Sequence, residues 1–403
     1  MRLGIIEFRF LVFVLRWESV IMKSIKNRIL VTSTDLMMVQ FLVPHVIFLS
    51  NKGYKIDILC SNVGGRITEV KENLKDYVEN IFVVSLQRSP LSPKNVIGYC
   101  EIKKKLDKNH YDLIWTNEPV MGVVTRLAAK KSRNSGTKVM YMVHGFHFYK
   151  GAPKLNWMLY YPIEKIMAKY CDVITTINHE DFEAAKQFKG DGAKYIHGIG
   201  INTDRLNKQS EQRNVREEIG LEKEDFVILS VGELNENKNH RVIIRALAQV
   251  NDESIHYVIC GKGEQLDALT RLSKELGVES NVHFLGYRTD VVDICSQSDL
   301  FAFPTFREGL GLAALEAMYC GLPLVTSNSR GPVDFMINGE TGFVCDPNKP
   351  EDFAKAIRII KNDNELKLSM QKRNKMLAYP FCVDNVKNEI YNIIEFVISE
   401  IPH

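Results

Sequence analysis

The sequence predicts an α/β protein made of two doubly wound domains, and three observations lead to this prediction. Short apolar runs alternate with helix-like segments along the chain, a pattern that favours parallel sheets covered by helices on both faces. The second half repeats the strand–helix plan of the first half. The chain has 403 residues, of which 45% are hydrophobic, and this length favours two cores over one.

The first half contains five strand-like runs with helical patterns between them. An apolar helix is predicted from about residue 37 to residue 50, and a glycine ends it at Gly53. The predicted strands are 27–33, 55–61, 80–85, 112–117 and 138–145.

The second half contains six strand-like runs, and a helix over 384–401 closes the chain. Further helices are predicted over 241–250 and up to about residue 276. The predicted strands are 225–234, 256–264, 281–287, 299–305, 322–327 and 342–347. We expect a first domain over 22–204, a second domain over 205–380 and a closing helical segment over 381–403.

Residues 1–21 are predicted to be an extension that adds little to the fold. They resemble a weak signal sequence, but Glu7, Arg9 and Arg16 interrupt the apolar stretch. The segment that begins Met22-Lys23 and continues into a strand is a more natural start.

The net charge of +3 is too small for a dedicated nucleic-acid-binding protein. The charge is uneven, however, because residues 88–133 contain ten Lys/Arg against four Asp/Glu. Two interpretations stay open: a solvated basic face, or a surface that attracts anionic lipid headgroups or a diphosphate-bearing acceptor.

The eight cysteines form no C-x-x-C pair, so neither a zinc site nor a disulfide framework is indicated. Free thiols fit a reducing cytoplasm. No run reaches the roughly 18 apolar residues needed to cross a bilayer. We therefore expect a cytoplasmic protein, and the absence of an Asp-x-Asp tripeptide predicts no bound metal.

The most informative segment is 306–327, FREGLGLAALEAMYCGLPLVTS. Glu308 precedes Gly309-Leu310-Gly311, and Glu316 follows eight positions later in a helix-forming run. Glycines let a ligand approach the backbone, and a helix N-terminus attracts anions. A helix rises about 1.5 Å per residue, so eight residues separate the two carboxylates by roughly 12 Å. This separation suits a ligand with hydroxyl groups at both ends and phosphates between them. A tightly packed core helix with an acidic first turn is the alternative.

Other candidate residues also fall where predicted strands end. The carboxyl ends of parallel strands in open α/β sheets form ligand crevices. Lys238 suits a phosphate, and the histidine at 144 suits hydrogen bonding or proton transfer, or else a structural role. Five residues stand at such strand ends: His144, Lys238, Gly261, Tyr287 and Arg330.

Segment 306–327, flanked by Pro304 and containing Gly321 and Pro323, resembles the glutamate–seven residues–glutamate signature of retaining glycosyltransferases of family 4. The resemblance implies the GT-B fold, in which two Rossmann-like domains face each other. The first domain would bind the acceptor and the second the nucleotide-sugar, and the last helix would return to the first domain. The runs HGFHFYKGAP and HGIGIN resemble the bacterial surface-polysaccharide branch.

The resemblance also implies roles for individual residues. Glu308 would orient sugar hydroxyls, Glu316 would bind the ribose, and Lys238 would bind the diphosphate. His144 would contact the transferred sugar, so that His144 and Glu308 form the catalytic pair. The remaining donor-binding candidates are Glu233, Gly261, Tyr287, Gly309, Leu310, Gly311 and Arg330; for Tyr287, plain packing is the alternative.

The sequence departs from the family pattern at two places. Glu233 stands where family members usually have a phosphate-binding arginine, and Arg330 or the backbone N–H groups of 309–311 are substitutes. The Gly-Gly loop near the first helix is missing, since the turn reads Thr32-Ser33-Thr34-Asp35. Both departures affect which groups neutralise the negative charge of the diphosphate.

We therefore expect a metal-independent, retaining transfer of a hexose or N-acetylhexosamine from a UDP-sugar to a lipid-linked or polysaccharide acceptor. The UDP-sugar would be a substrate, with no separate cofactor. The resemblance places this reaction in capsule or exopolysaccharide synthesis. The basic stretch over 88–133 favours peripheral contact with an anionic membrane, at the inner face of the plasma membrane. Two alternatives stay open: a UDP-sugar 2-epimerase of the same architecture, and a non-catalytic partner that binds a sugar nucleotide.

Overall fold

The computed structural model describes residues 27–208 and 214–399. The chain divides into two compact units. Unit 1 contains residues up to 175, together with 186–194 and the segment from 390 onward; unit 2 contains 176–185 and 195–389. The predicted extension over 1–21 lies outside the described residues. The predicted domain bounds at 204/205 and 380/381 stay predictions.

The first sheet has seven strands in the order β3-β2-β1-β4-β5-β6-β7. Strands β1 to β5 pair in parallel. The strands are β1 Arg28–Thr34, β2 Lys55–Ser61, β3 Asn80–Val84, β4 Leu113–Asn117, β5 Lys138–Val143, β6 Val173–Thr176 and β7 Ala193–Tyr195.

The second sheet has six strands in the order β10-β9-β8-β11-β12-β13, and all its pairs are parallel. The strands are β8 Phe226–Val231, β9 Ile255–Cys260, β10 Val282–Gly286, β11 Leu300–Phe303, β12 Leu324–Ser327 and β13 Gly342–Cys345. Both sheets reverse their strand order beside the first strand of the unit, which is where doubly wound folds bind ligands.

Helices connect these strands. In the first half they are α1 Asp35–Met37, α2 Val43–Asn51, α3 Ile67–Leu74, α4 Lys94–Leu106, α5 Pro119–Ala128, α6 Lys130–Asn134, α7 Lys154–Met167 and α8 His179–Lys189. In the second half they are α9 Thr203–Asn207, α10 Val215–Glu218, α11 His240–Val250, α12 Leu266–Glu275, α13 Val291–Ser296, α14 Leu312–Tyr319, α15 Pro350–Asn362, α16 Asn364–Ala378 and α17 Val383–Ser399.

The central strands are buried along almost their whole length, as apolar runs without alternation predict. Every residue of β4, β11 and β12 is buried. In unit 2 the core joins β11 and β12 to α11 and α15, through side chains such as Ile243 and Phe353. The predicted α/β class with two doubly wound sheets is confirmed.

The predicted strands all occur, with bounds shifted by a few residues, but two observed strands were not predicted. β6 and β7 are short, with four and three residues, and they follow a long helical stretch. The predicted helix over 37–50 is also interrupted, because Met38–Leu42 forms a π-helical turn between α1 and α2.

Candidate active site

Lys238 is positioned by a short turn after β8. Residues 236–238 form a 3-10 turn whose N-cap is Asn235, and the Asn235 side chain accepts a hydrogen bond from the Lys238 amide at 3.0 Å. Asn239 then adopts a left-handed conformation with φ 55° before α11 begins. The turn therefore fixes the backbone that carries the lysine.

The turn after β8 is hydrogen-bonded to the loop that follows the neighbouring strand β11. The Phe306 amide donates to the Asn237 carbonyl at 2.9 Å. The Asn237 side chain in turn donates to the Arg307 carbonyl at 2.9 Å. These bonds hold the loop of the Glu308 segment beside the lysine turn.

The central contact of the site is an ion pair between Lys238 and Glu308. Lys238 Nζ lies 2.6 Å from Glu308 Oε2, and each side chain is about one-fifth exposed, at 22% and 23%. Glu308 Oε1 accepts the Gly309 amide at 3.2 Å. An ammonium group has three donors, so the lysine can keep this carboxylate partner and still offer hydrogen bonds to an anion.

Helix α14 begins at Leu312, and Gly311 is its N-cap with φ 99°. A Cβ atom at Gly311 would lie 3.0 Å from the Phe303 ring, so glycine suits both the conformation and the space. The predicted separation of roughly 12 Å between the two glutamates is wrong in its premise, because residues 308–311 are not helical. The Leu310 side chain is buried, which leaves only its backbone for a ligand.

Arg330 lies under the Glu308 backbone. Its Nε donates to the Glu308 carbonyl at 3.3 Å, and its Nη1 pairs with Asp181 Oδ1 at 2.8 Å. The guanidinium side chain is 6% exposed. This arginine therefore supports the glutamate segment while Asp181 offsets its charge.

Glu316 forms an ion pair with Arg205. Burial raises the pKa of the Glu316 carboxyl, and the Arg205 charge opposes this rise. Glu233 is exposed, and its carboxylate accepts a hydrogen bond from Asn235 at 2.9 Å. The contacts thus join Lys238, Glu308, Gly309 and Arg330, whereas Glu233 and Glu316 have other partners.

Gly261 and Tyr287 occupy the same edge of the second sheet. They follow β9 and β10, and with the segments after β8 and β11 they complete four consecutive strand ends in the order β10-β9-β8-β11. A Cβ atom at Gly261 would lie 1.8 Å from the Gly232 carbonyl oxygen, so this glycine allows two backbone turns to touch. Tyr287 is 73% exposed.

In unit 1, His144 follows β5. Its Nε2 lies 3.1 Å from Asn117 Oδ1 at the end of β4. Burial, together with the nearby His45, lowers the pKa of His144 to about 4. The imidazole is therefore neutral near pH 7 and is suited to hydrogen bonding rather than to carrying a charge.

Sequence reasoning missed Glu118, which follows β4 with φ 67°. Its carboxylate accepts the Thr34 amide at 2.6 Å and the Thr34 hydroxyl at 3.0 Å. Burial raises the pKa of Glu118, although these two hydrogen bonds act to lower it. A non-glycine residue in this conformation is strained, and such strain is concentrated at functional sites. A polar residue at a strand end next to Pro119 was the signal in the sequence.

Glu118 lines a cavity of about 360 Å³ in unit 1. Most of its walls are apolar, and segment 86–95 lies along one side while α7 lies along another. His147 also lines it and stacks on Tyr160 with ring centroids 4.6 Å apart. The apolar lining residues are Leu86, Pro90, Pro119, Val120, Met121, Val123, Val124 and Ile163.

Within residues 27–208 and 214–399, every helix is too short or too polar to cross a lipid bilayer. In the same ranges, His, Cys, Asp and Glu side chains form no group of three that is arranged to hold a metal ion. What the described site offers is one ammonium group, the N-terminus of α14 and a carboxylate. These groups suit an anionic ligand that also carries hydroxyl groups.

Comparison with known families gives two matches that together span most of the chain. Residues 30–178 match the family described as glycosyl transferase 4-like, and residues 211–376 match glycosyl transferases group 1. The second match contains Lys238, Glu308, Glu316 and Arg330.

Two curated relatives are similar over most of their length. EpsD of Bacillus subtilis (strain 168), which is named as a glycosyltransferase, is 38% identical over 311 residues, covering 75% of this chain and 82% of the relative. An Escherichia coli protein named UDP-Gal:alpha-D-GlcNAc-diphosphoundecaprenol alpha-1,3-galactosyltransferase is 28% identical over 339 residues, covering 82% and 86%.

Among solved structures, Anabaena Alr3699/HepE in complex with UDP is similar to this chain with a TM-score of 0.75. The match covers 92% of this chain and 100% of that protein at 20% identity. At this identity the likeness shows the fold alone, and it confirms the predicted GT-B architecture of two Rossmann-like domains.

Proposed function

The chain belongs to the glycosyl transferases of group 1, and we propose that it transfers a hexose or N-acetylhexosamine from a UDP-sugar to a lipid-linked or polysaccharide acceptor. One observation carries the proposal: Lys238 and Glu308 are paired at 2.6 Å beside the N-terminus of α14. This cluster lies at the carboxyl edge of the second sheet, where doubly wound folds bind nucleotides.

The diphosphate would bind at the cationic part of this cluster. Lys238 Nζ uses one donor for Glu308 and keeps the others for phosphate oxygens. The first amides of α14 add a partial positive charge. When the glycosyl–phosphate bond breaks, negative charge grows on the leaving diphosphate, and donors fixed in advance stabilise it.

Glu308 would hold the hydroxyl groups of the transferred sugar. Its two oxygens already accept from Lys238 and from the Gly309 amide, which fixes the carboxylate in one orientation. Each oxygen retains acceptor capacity for a hydroxyl donor. Glu316 lies in the middle of α14. Its carboxylate would bind the ribose hydroxyls once Arg205 moves away or shares the carboxylate with them.

The proposed reaction breaks the bond between the anomeric carbon and the diphosphate oxygen. It forms a bond from that carbon to an acceptor oxygen, whose proton passes to the leaving phosphate or to water. As the family resemblance implies, the proposed transfer retains the anomeric configuration. His144, neutral at pH 7, would hydrogen-bond the transferred sugar.

The proposed acceptor is a sugar carried on a lipid diphosphate. The Escherichia coli relative is named for such an acceptor, and unit 1 here contains a cavity with mostly apolar walls. Surface-polysaccharide synthesis at the inner face of the plasma membrane is the setting that fits this acceptor.

Thermal unfolding in the presence of a panel of UDP- and GDP-sugars tests the donor. A ligand present at about 100 times its Kd stabilises the folded state by about 2.7 kcal/mol, so a UDP-sugar should raise the Tm by several degrees. Stabilisation by GDP-sugars alone would contradict the UDP assignment.

Incubation with a UDP-sugar in the absence of acceptor distinguishes the proposed transferase from a 2-epimerase. A transferase leaves the donor sugar configuration unchanged, whereas a 2-epimerase produces the epimer. Binding of the donor without transfer to any lipid-linked acceptor would favour a non-catalytic partner.

A further inference from the structure

Helix α7 carries an apolar stripe that faces solvent. Five large apolar side chains of this helix are between 45% and 73% exposed. Positions 155, 159, 163 and 166 follow the spacing of one helical face. In a globular protein such a face normally packs against the core. The stripe consists of Leu155, Met158, Leu159, Ile163 and Ile166.

The opposite face of α7 is anchored by polar contacts inside unit 1. Glu164 is buried, and its carboxylate pairs with Arg126 at 2.9 Å and accepts the Tyr141 hydroxyl at 3.1 Å. The guanidinium of Arg126 also lies 3.9 Å from the Tyr141 ring centroid. Rotating the helix would break this buried ion pair and leave an uncompensated buried charge, which is strongly destabilising. The helix is therefore held with its apolar stripe outward.

Lysines flank this stripe. Lys154 and Lys165 are exposed and lie about three turns apart along the helix. Each lysine is about 100° around the helix axis from the apolar residue that follows it, Leu155 or Ile166. Lys169 is exposed just beyond the helix. Apolar side chains bordered by basic residues are the pattern of helices that lie in the interface of an anionic membrane.

A second exposed apolar group lies nearby in the segment before and within α4. Leu91, Val96 and Ile97 are 91%, 68% and 53% exposed, and Lys94 stands among them. Asn95 of this segment and Pro90 just before it line the cavity of unit 1, as do Tyr160 and Ile163 of α7. The two apolar groups therefore border one cavity.

We propose that α7 and segment 91–97 form a membrane-docking surface that binds an anionic phospholipid bilayer. The apolar side chains enter the headgroup region, and Lys94, Lys154 and Lys165 contact anionic headgroups. This inference rests on the proposed lipid-linked acceptor, because docking here places the cavity at the bilayer from which that acceptor comes.

The basic stretch over 88–133 contributes less to this surface than the sequence indicates. Lys131 pairs with Asp107 at 3.1 Å. Lys105 and Lys130 lie over the rings of Phe82 and Tyr170, at 3.9 and 4.2 Å from their centroids. Several of its charges are thus occupied within unit 1.

Cosedimentation of the full chain with vesicles tests the surface. We expect binding to vesicles of phosphatidylcholine mixed with phosphatidylglycerol, weakened by salt, and much weaker binding to phosphatidylcholine alone. The double variant Leu159→Gln/Ile166→Gln should bind the mixed vesicles about tenfold more weakly or worse, since it removes two exposed apolar side chains that would enter the bilayer. Lys154→Glu/Lys165→Glu should lose at least about tenfold, mainly at low salt.

Matched variants in unit 2 provide the controls. Leu368→Gln/Met376→Gln changes two exposed apolar residues of α16, and Lys274→Glu/Lys372→Glu changes two exposed lysines with the same shift in net charge. Both controls should bind vesicles like the unaltered chain. Equal losses in the controls would overturn the assignment to α7.

Absence of vesicle binding by the unaltered chain would also overturn the proposal. A dimer in solution that Leu159→Gln/Ile166→Gln dissociates, without vesicle binding, would assign the stripe to a second copy instead. Stabilisation by UDP-sugars is measured separately on the same variants. If it persists while vesicle binding fails, the membrane-docking surface is wrong and the proposed donor site stands.

Discussion

The carboxyl edges of the two sheets differ in charge although the sheets share one topology. In unit 2 the edge carries Lys238 and Glu308 as a partly exposed ion pair, with Arg330 beneath. In unit 1 the edge carries His144, whose pKa is lowered to about 4, and Glu118, whose pKa is raised by burial. The comparison shows that the doubly wound plan fixes where a site lies, while the residues after each strand decide which ligand suits it.

The first turns of the units show the physical basis of this difference. In unit 1 the Thr34 amide is bonded to Glu118 at 2.6 Å, and buried Asp35 accepts the amides of Gly64 and Arg66 at 2.9 and 2.6 Å. Amides that a glycine-rich loop would offer to phosphate are thus bonded to carboxylates. We therefore expect the diphosphate to depend on unit 2.

The largest expected effect is at Glu308. Glu308→Ala should lower the rate of transfer by about a thousandfold or more, because a fixed group at the reacting sugar is lost. The fold should remain, since the side chain is at the surface edge of the sheet. Transfer from a radiolabelled UDP-sugar, with circular dichroism as a check on folding, measures both.

Glu340→Ala is a matched control for that variant. Glu340 also pairs with a cation, Arg373, at 2.6 Å, but it is half exposed. Glu340→Ala should keep the rate of transfer within about twofold of that of the unaltered chain, since exposed ion pairs contribute little. A rate for Glu308→Ala close to that of the unaltered chain would rule out the proposed site.

The next effect is at Lys238. Lys238→Ala should lower transfer about a hundredfold and reduce the thermal stabilisation by UDP, because the charge opposite the diphosphate is lost. Lys361→Ala is the control, since Lys361 has the same 22% exposure and pairs with Asp252 at 2.5 Å. Unchanged UDP binding by Lys238→Ala would show that the phosphates bind elsewhere.

A smaller effect concerns the pH dependence of stability behind the lysine turn. His240 is buried, with its Nε2 3.3 Å from the Glu233 carbonyl, and burial lowers its pKa to about 4. The histidine takes up a proton at about pH 6.5 in the unfolded state but only at about pH 4 in the folded state. The stability that depends on a neutral His240 is therefore present above about pH 6.5 and is lost as pH falls toward 4. Between pH 7 and pH 5 the loss is about 2 kcal/mol.

His240→Gln should therefore flatten the plot of unfolding free energy against pH by about 2 kcal/mol over that range. Urea denaturation at several pH values measures the slope. Parallel plots for the variant and the unaltered chain would contradict a neutral buried His240.

The smallest effect is expected at Glu118. Its raised pKa means that its contribution to stability is present at low pH and decreases as pH rises through the folded-state pKa. Glu118→Gln should gain stability relative to the unaltered chain as pH rises, because a buried glutamine does not ionise. UDP-sugar stabilisation should not change, because Glu118 belongs to unit 1.

Glu101→Gln is the control for Glu118→Gln. Glu101 likewise accepts the amide and hydroxyl of one residue, Ser85, at 2.7 and 3.3 Å, but at the surface. Its substitution should change stability by at most about 1 kcal/mol, the size of a net hydrogen bond. A loss of UDP-sugar binding by Glu118→Gln would contradict the assignment of the nucleotide-sugar to unit 2.

The sequence by itself determined the fold class, most strands and the segment around Glu308. Buried parallel strands are continuous apolar runs, and the glycines at 309 and 311 mark a backbone that must turn sharply before α14. These are local signals, which depend on neighbours along the chain. For this reason the strand ends that carry Lys238, Glu308 and Tyr287 were predictable.

The tertiary structure decided which side chains meet. The pairing of Lys238 with Glu308 joins positions 70 residues apart, and Asp181 holds Arg330 from 149 residues away. The strained Glu118 and the outward apolar stripe of α7 likewise depend on Thr34, Arg126 and Tyr141. Burial and partner distance set the charge state of each group, and a sequence pattern contains neither quantity.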